Sequence, residues 1–215
     1  MQIVSVNVAL PREVSWKGRT VATSIFKQPT GEPVAVLAEH LAGDGQADLR
    51  VHGGPDKAVY AYPQEHYAYW QTLVPPELLS PGALGENLTT TGLLESEVRM
   101  GDCFRAGTAV LMAVQPRRPC FKLGIRLNDE RVVKQFQEAR RPGIYFRVLQ
   151  TGVLQDGDAL ELVERSAYDV TIQDVADCHY LPQKDFAKLA QILAMPFLPP
   201  SWREGFEKMA AAHNG

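Results

Sequence analysis

Cysteine is scarce in this chain of 215 residues: Cys103, Cys120 and Cys178 are the only three, and they lie far apart. They form no C-x-x-C pair, cannot supply the four thiolates of an iron–sulfur cluster, and leave no basis for a disulfide framework. Long apolar runs are also missing, since none approaches the ~20 residues of a membrane helix. The opening Met1-Gln2-Ile3-Val4-Ser5-Val6 lacks the basic region and long apolar stretch of a secretion signal, so a soluble cytoplasmic protein is the expectation. There is no basic excess. A formal net charge of -3 and a sequence pI near 6.0 argue against a general nucleic-acid binder. Familiar catalytic signatures are absent too: no His-Glu-x-x-His or close His/Cys pair, no Gly-x-Ser-x-Gly, and no Gly-Lys-Ser/Thr phosphate loop.

What the chain does have is short strands and many turns. Val4, Val6, Val8 and Leu10 alternate with polar or small residues, the period of a half-buried strand that Pro11 ends. Thr20–Lys27 and Val34–Leu37 read as two more strands at hairpin-like spacing. The stretch from His40 to Lys57 holds too many glycines for a regular element. Val59–Tyr62 reads as a strand, and Pro63 as the start of a helix with His66, Tyr67, Trp70 and Leu73 on one side. Gly-Asp pairs at 101–102 and 157–158 mark tight turns, Asp129–Arg140 a helix, and Ile144–Leu149 a strand. Turns every ten or so residues favour a barrel or sandwich, a mainly β domain over residues 1–165. After Ser166 the pattern changes to three short amphipathic helices, a helical appendage over 166–215. Thr171–Asp174 resembles a capping box, and Ser201–Glu204 is a closer match to the consensus.

Three segments carry candidate chemistry. In Gln115-Pro-Arg-Arg-Pro-Cys120-Phe-Lys122 a cysteine stands among prolines and three cations. Nearby positive charge favours thiolate, the form that attacks electrophiles or ligates a soft metal, and the prolines predict a stiff, non-helical loop. The same residues also suit an ordinary strand end with solvated arginines. His52-Gly-Gly-Pro-Asp-Lys57 could offer exposed amides and cations to phosphate oxygens, or be a plain tight turn. Gly85-Glu86-Asn87-Leu88 is the third; Asn87 can both donate and accept, and Gly85 admits a sharp bend. Cys103 and Cys178 read as structural.

Taken in order, His52-Gly-Gly-Pro-Asp-Lys57, Gly82-Ala-Leu-Gly-Glu-Asn-Leu88, Met100-Gly-Asp102 and Gln115-Pro-Arg-Arg-Pro-Cys120 resemble the MOSC (molybdenum-cofactor sulfurase C-terminal) domain in its stand-alone bacterial YiiM-like form. The tail, ending in Leu198-Pro-Pro-Ser-Trp202, resembles that subgroup's three-helix extension. The resemblance implies a MOSC-type β-barrel with short helices that binds the molybdenum cofactor, with Cys120 as protein ligand to the metal and catalytic residue. It further implies reduction of N-hydroxylated compounds such as hydroxylaminopurine-type bases, R–NHOH plus two electrons and two protons giving R–NH₂ and water. His52, Lys57, Asn87, Arg117, Lys122 and Arg147 are the implied cofactor-binding residues, with Arg117 or Lys122 suited to a phosphate. With no cluster motif in the chain, electrons are expected from an external flavin or iron–sulfur reductase; no nucleic-acid or membrane partner is expected. The alternative is a sulfur carrier or cofactor-delivery protein using a persulfide or thiolate on Cys120.

Overall fold

A computed structural model of the protein describes residues 1–47 and 53–214. The strands are β1 (Gln2–Val8), β2 (Arg12–Trp16), β3 (Arg19–Thr23), β4 (Gln28–Pro29), β5 (Val34–Val36), β6 (Val59–Pro63), β7 (Leu88–Thr91), β8 (Cys103–Ala106), β9 (Ala109–Pro116), β10 (Ile144–Gln150), β11 (Gly152–Leu154) and β12 (Leu160–Glu164). The α-helices are α1 (Tyr67–Trp70), α2 (Phe121–Leu127), α3 (Arg131–Ala139), α4 (Ile172–Tyr180), α5 (Phe186–Leu193) and α6 (Pro200–Asn214). Eight strands form one mixed sheet in the order β12-β8-β9-β10-β6-β7-β1-β4, parallel only between β6 and β7.

The mainly β reading therefore holds, as a large mixed sheet with short helices and a helical C-terminus. The turn at Gly157 draws the start of β12 back to β1: Leu160 N donates to Met1 O at 3.0 Å, Ile3 N to Asp158 O at 2.9 Å, and Gln2 bridges Ala159. The first strands do not pair consecutively, although their hairpin-like spacing predicts that they would. β1 lies between β7 and β4, β5 pairs with β11, and the true hairpin is β2–β3, turned by Lys17-Gly18. The predicted strand Thr20–Lys27 stops at Thr23, because Thr23 Oγ1 accepts the Ile25 N–H at 3.1 Å and turns the chain off the ladder.

Alternation places β6 at the centre of the packing. Val59 and Ala61 join the main apolar cluster, while Tyr60 and Tyr62 face a second one with Trp70, Leu123, Val132 and Phe136. Pro63 closes β6 rather than opening a long helix; a 3₁₀ turn, Gln64–His66, leads into the four-residue α1. Tyr67 and Trp70 of the predicted stripe are core, whereas Leu73 is exposed.

Of the two expected capping boxes, one forms and one does not. The Thr171–Asp174 box is fully formed, with Asp174 N on Thr171 Oγ1 at 3.0 Å and Thr171 N on Asp174 Oδ2 at 2.9 Å. The Ser201–Glu204 box does not form. Pro200 opens α6, and the N–H groups of Trp202 and Arg203 both bond Pro199 O, so Ser201 is already inside the first turn. The Cys120 loop is non-helical only through Cys120, which is the N-cap of α2. That helix escapes sequence reading because Phe-Lys-Leu-Gly-Ile-Arg-Leu alternates apolar and polar residues as a strand would.

Candidate functional site

One cleft, open to solvent, gathers segments remote in sequence. The loop after β3 contributes Ile25 and Lys27, and the loop after β5 contributes Asp44. The Pro55–Lys57 turn brings Lys57, and the Gly82–Leu88 loop brings Gly85 and Asn87. The segment after β9 adds Arg117, Arg118, Cys120 and Lys122; Tyr60 and Tyr145 complete the wall. Five cations face it, Lys27, Lys57, Arg117, Arg118 and Lys122, against one carboxylate among the described lining residues, Asp44. In a chain of net charge -3, that concentrates positive potential in one concavity and favours an anionic ligand.

Cys120 sits half-exposed on this wall, while Cys103 and Cys178 are buried. Burial pushes both of those thiols up, which keeps them protonated and unreactive. Arg117 is buried, with its guanidinium carbon 4.9 Å from the Tyr60 ring centroid and 5.5 Å from that of Phe136, and Nη1 donating to Leu84 O. Burial opposes its charge, but Tyr60, Tyr145 and Cys120 around it outweigh that cost, so the guanidinium holds its proton more tightly than usual. It is also coupled electrostatically to Cys120. Lys57 is drawn below its ordinary range by partial burial and by Arg118, with Asp56 opposing.

The other sequence-predicted residues fall differently. Asn87 lines the cleft, but both ends of its amide are engaged: Oδ1 accepts from Tyr60 N at 3.1 Å, and Nδ2 donates to Asp44 Oδ2 at 2.8 Å. Arg147 does not line it; its guanidinium holds the Asp56 carboxylate behind the Lys57 turn. Lys122 lines the cleft. His52 lies outside the described residues.

Sequence reading missed Lys27 and Asp44. They form an ion pair with side chains 9% and 3% exposed, and Asp44 Oδ1 also accepts Ala9 N at 2.9 Å. Burial lowers the Lys27 pKa, and Asp44 offsets part of that. Neither residue is in a motif, and 16 intervening residues with β4 and β5 between them hide the pairing. Gly85 has the positive φ of +84° that its motif suggests, and a Cβ there would stand 2.5 Å from Ile25 Cδ1. Gly54 in the paired-glycine turn has φ +91° and open space around it. Asp102 of the Gly-Asp pair is buried away from the cleft and ties the sheet to the following segment, accepting from Arg99 N, Arg165 Nη1 and Ser166 N at 2.8, 2.8 and 2.9 Å.

Among the described residues no group of three or more His, Cys, Asp or Glu is placed to hold a metal ion, and no helix is long and apolar enough to cross a membrane. Comparison with known proteins places two family models on the chain: the MOSC domain over residues 48–161, and the YiiM-like, 3-alpha helix domain over 170–212. The uncharacterized protein YflK of Bacillus subtilis is 39% identical over 206 residues, 96% of this chain and 93% of that one. The crystal structure of YiiM from Geobacillus stearothermophilus superposes with a TM-score of 0.81 at 38% identity, covering 97% of this chain and 98% of its own. A Gibberella moniliformis protein named "Reductase" is 36% identical over 185 residues, 78% of this chain but 33% of that longer one.

Proposed function

Because the chain belongs to the MOSC-domain family, with a YiiM-like three-helix domain behind it, we propose that it is a molybdenum-cofactor-dependent reductase of N-hydroxylated compounds. The observation that carries the reading is a half-exposed thiol, Cys120, sharing one cation-rich cleft with Lys57, Arg118 and Lys122. The donor set fits the cofactor. A single soft thiolate suits a sulfur-rich molybdenum centre whose other ligands come from the pterin dithiolene, and lysine and arginine side chains suit its phosphate. Cys120 would hold the metal, with Lys57, Arg118 and Lys122 on the phosphate; His52 remains a proposed contact on its motif alone. When bound, the cofactor supplies a two-electron centre for N–O bond cleavage.

The chain's own residues supply positioning and charge. Arg117 keeps a fixed positive charge beside the thiol, and Asn87 and Ala9 N hold Asp44 against Lys27 at the cleft wall. Arg147 acts through Asp56, fixing the turn that presents Lys57. Electrons come from a separate flavin or iron–sulfur protein, in keeping with three dispersed cysteines, and the relative named a reductase supports the reaction class.

The deciding experiment is elemental analysis of protein purified from a cofactor-competent host, paired with turnover of hydroxylaminopurine using a chemical reductant. Stoichiometric molybdenum with turnover, both lost in Cys120→Ala, is the expected result. Molybdenum and full activity retained in Cys120→Ala would end the ligand assignment. Transferable sulfane sulfur without turnover would favour a sulfur carrier instead.

A further inference from the structure

The Pro-Pro-Ser-Trp start of α6 takes no part in the cleft lining, yet its side chains touch residues that do. Ser201 Oγ accepts from Arg118 Nη2 at 3.0 Å, and the Arg118 guanidinium carbon stands 4.7 Å from the Trp202 ring centroid. Trp202 Nε1 donates to Gln115 Oε1 at 2.7 Å, and Gln115 Nε2 donates to Asp56 O at 2.6 Å. Asp56 directly precedes Lys57, so one helical turn reaches two cations of the cleft, one directly and one through Gln115. Both Trp202 and Gln115 are 2% exposed. A buried indole N–H and amide without partners would each carry a desolvation cost, so this relay fixes direction as well as contact.

We propose that the first turn of α6 is a positioning element of the Cys120 cleft, with Ser201 setting Arg118 and Trp202, through Gln115, setting the Lys57 turn. The three-helix domain then contributes to the charge field at the thiol although none of its residues enters the site. The consequence for catalysis rests on the cofactor reading; the positioning itself does not.

The test uses the full chain without cofactor. With Cys103 and Cys178 buried, Cys120 is the accessible thiol, and its alkylation rates by iodoacetate and by neutral iodoacetamide are measured separately. The ratio of the two reports positive potential at the sulfur and cancels changes in accessibility. For a unit charge several ångströms from the sulfur, Coulomb's law in water gives a fall of about threefold in the anionic reagent's relative rate, the direction and scale expected for Arg118→Ala. Ser201→Ala and Trp202→Phe are expected to lower the ratio in the same direction, and Ser201→Thr, which keeps the hydroxyl, to restore it. Ser201 is exposed, so Ser201→Ala reads positioning without disturbing the core. An unchanged ratio in both Ser201→Ala and Trp202→Phe overturns the proposal, as does an unchanged ratio in Arg118→Ala. Loss of thermal stability with an unchanged ratio would mean that the contacts only hold the domains together. Absence of molybdenum in the purified protein would instead defeat the cofactor reading and leave this result standing.

Discussion

Glu86 is fully enclosed, and its two oxygens accept four donors: Gly82 N at 2.9 Å, Leu84 N at 3.0 Å, Thr89 Oγ1 at 3.0 Å and the Tyr67 hydroxyl. This carboxylate shapes the Gly82–Leu88 loop that carries Asn87 into the cleft. Burial raises its pKa, against the pull of Tyr67 and the other donors. Glu86→Gln turns one acceptor oxygen into a donor and strands a buried N–H or hydroxyl, for an expected loss of about 1–3 kcal/mol in urea unfolding. The Lys27–Asp44 pair gives a second residue-level prediction. Asp44→Ala leaves a buried ammonium without its partner and strands Ala9 N and Asn87 Nδ2, at an expected cost of about 3–5 kcal/mol, whereas Lys27→Met with Asp44→Leu recovers only the part due to the unpaired charge. A double variant as unstable as the single one would show that the site, not the unpaired charge, sets the cost. Asn87 was singled out by its motif and lines the cleft, but its contact with Asp44 was not legible, because the partner lies 43 residues away.

At the scale of the element, α4 shows how a local signal and a tertiary one combine. Its capping box was readable in Thr171 and Asp174, since both partners sit within one turn. Its other end was not readable: His179 packs its ring 5.1 Å from Trp202 of α6, centroid to centroid. Burial, with Arg118 and Lys184 adding to it, lowers the His179 pKa below 6.5. The unfolded chain therefore takes up a proton first as pH falls, and stability drops through the window between 6.5 and the lower folded value. Thermal melts between about pH 7.5 and 5.5 should show wild type losing Tm that His179→Gln keeps. Parallel profiles for the two proteins would remove His179 from the account. The same contrast explains α2 and α6: pattern suggests a strand for one and Ser201 as cap for the other, whereas packing of Leu123 and Leu127 and the Pro at position 200 decide both.

For the whole molecule, the division between the sheet and the C-terminal helices is clearer in sequence than in the core. Val170, Ile172, Val175, Leu189, Ile192, Trp202 and Phe206 share one apolar cluster with Ile3, Leu111 and Phe146 of the sheet. Asp102 adds polar bonds across the boundary at Arg165 and Ser166. A chain cut after residue 165 would expose that face, at about 25 cal/mol for each Å² of apolar area. It should bind a hydrophobic dye and melt well below the full chain; a truncated protein with the full-length Tm would show the helices to be dispensable.

The sequence by itself determined what depends on near neighbours: the turns at the glycines, the alternation of β1 and β6, the cap of α4, and a cysteine set among cations. Four ordered motifs also sufficed to mark the family. Only the tertiary structure decided that Lys27 and Asp44 share the cleft with Cys120, that Arg147 works behind Asp56, and that Trp202 reaches Gln115 87 positions away. The reason is physical. Local backbone preferences act over a few residues, whereas burying a charge or an indole N–H is satisfied by whichever partner the fold brings near, and spacing along the chain carries no record of that distance.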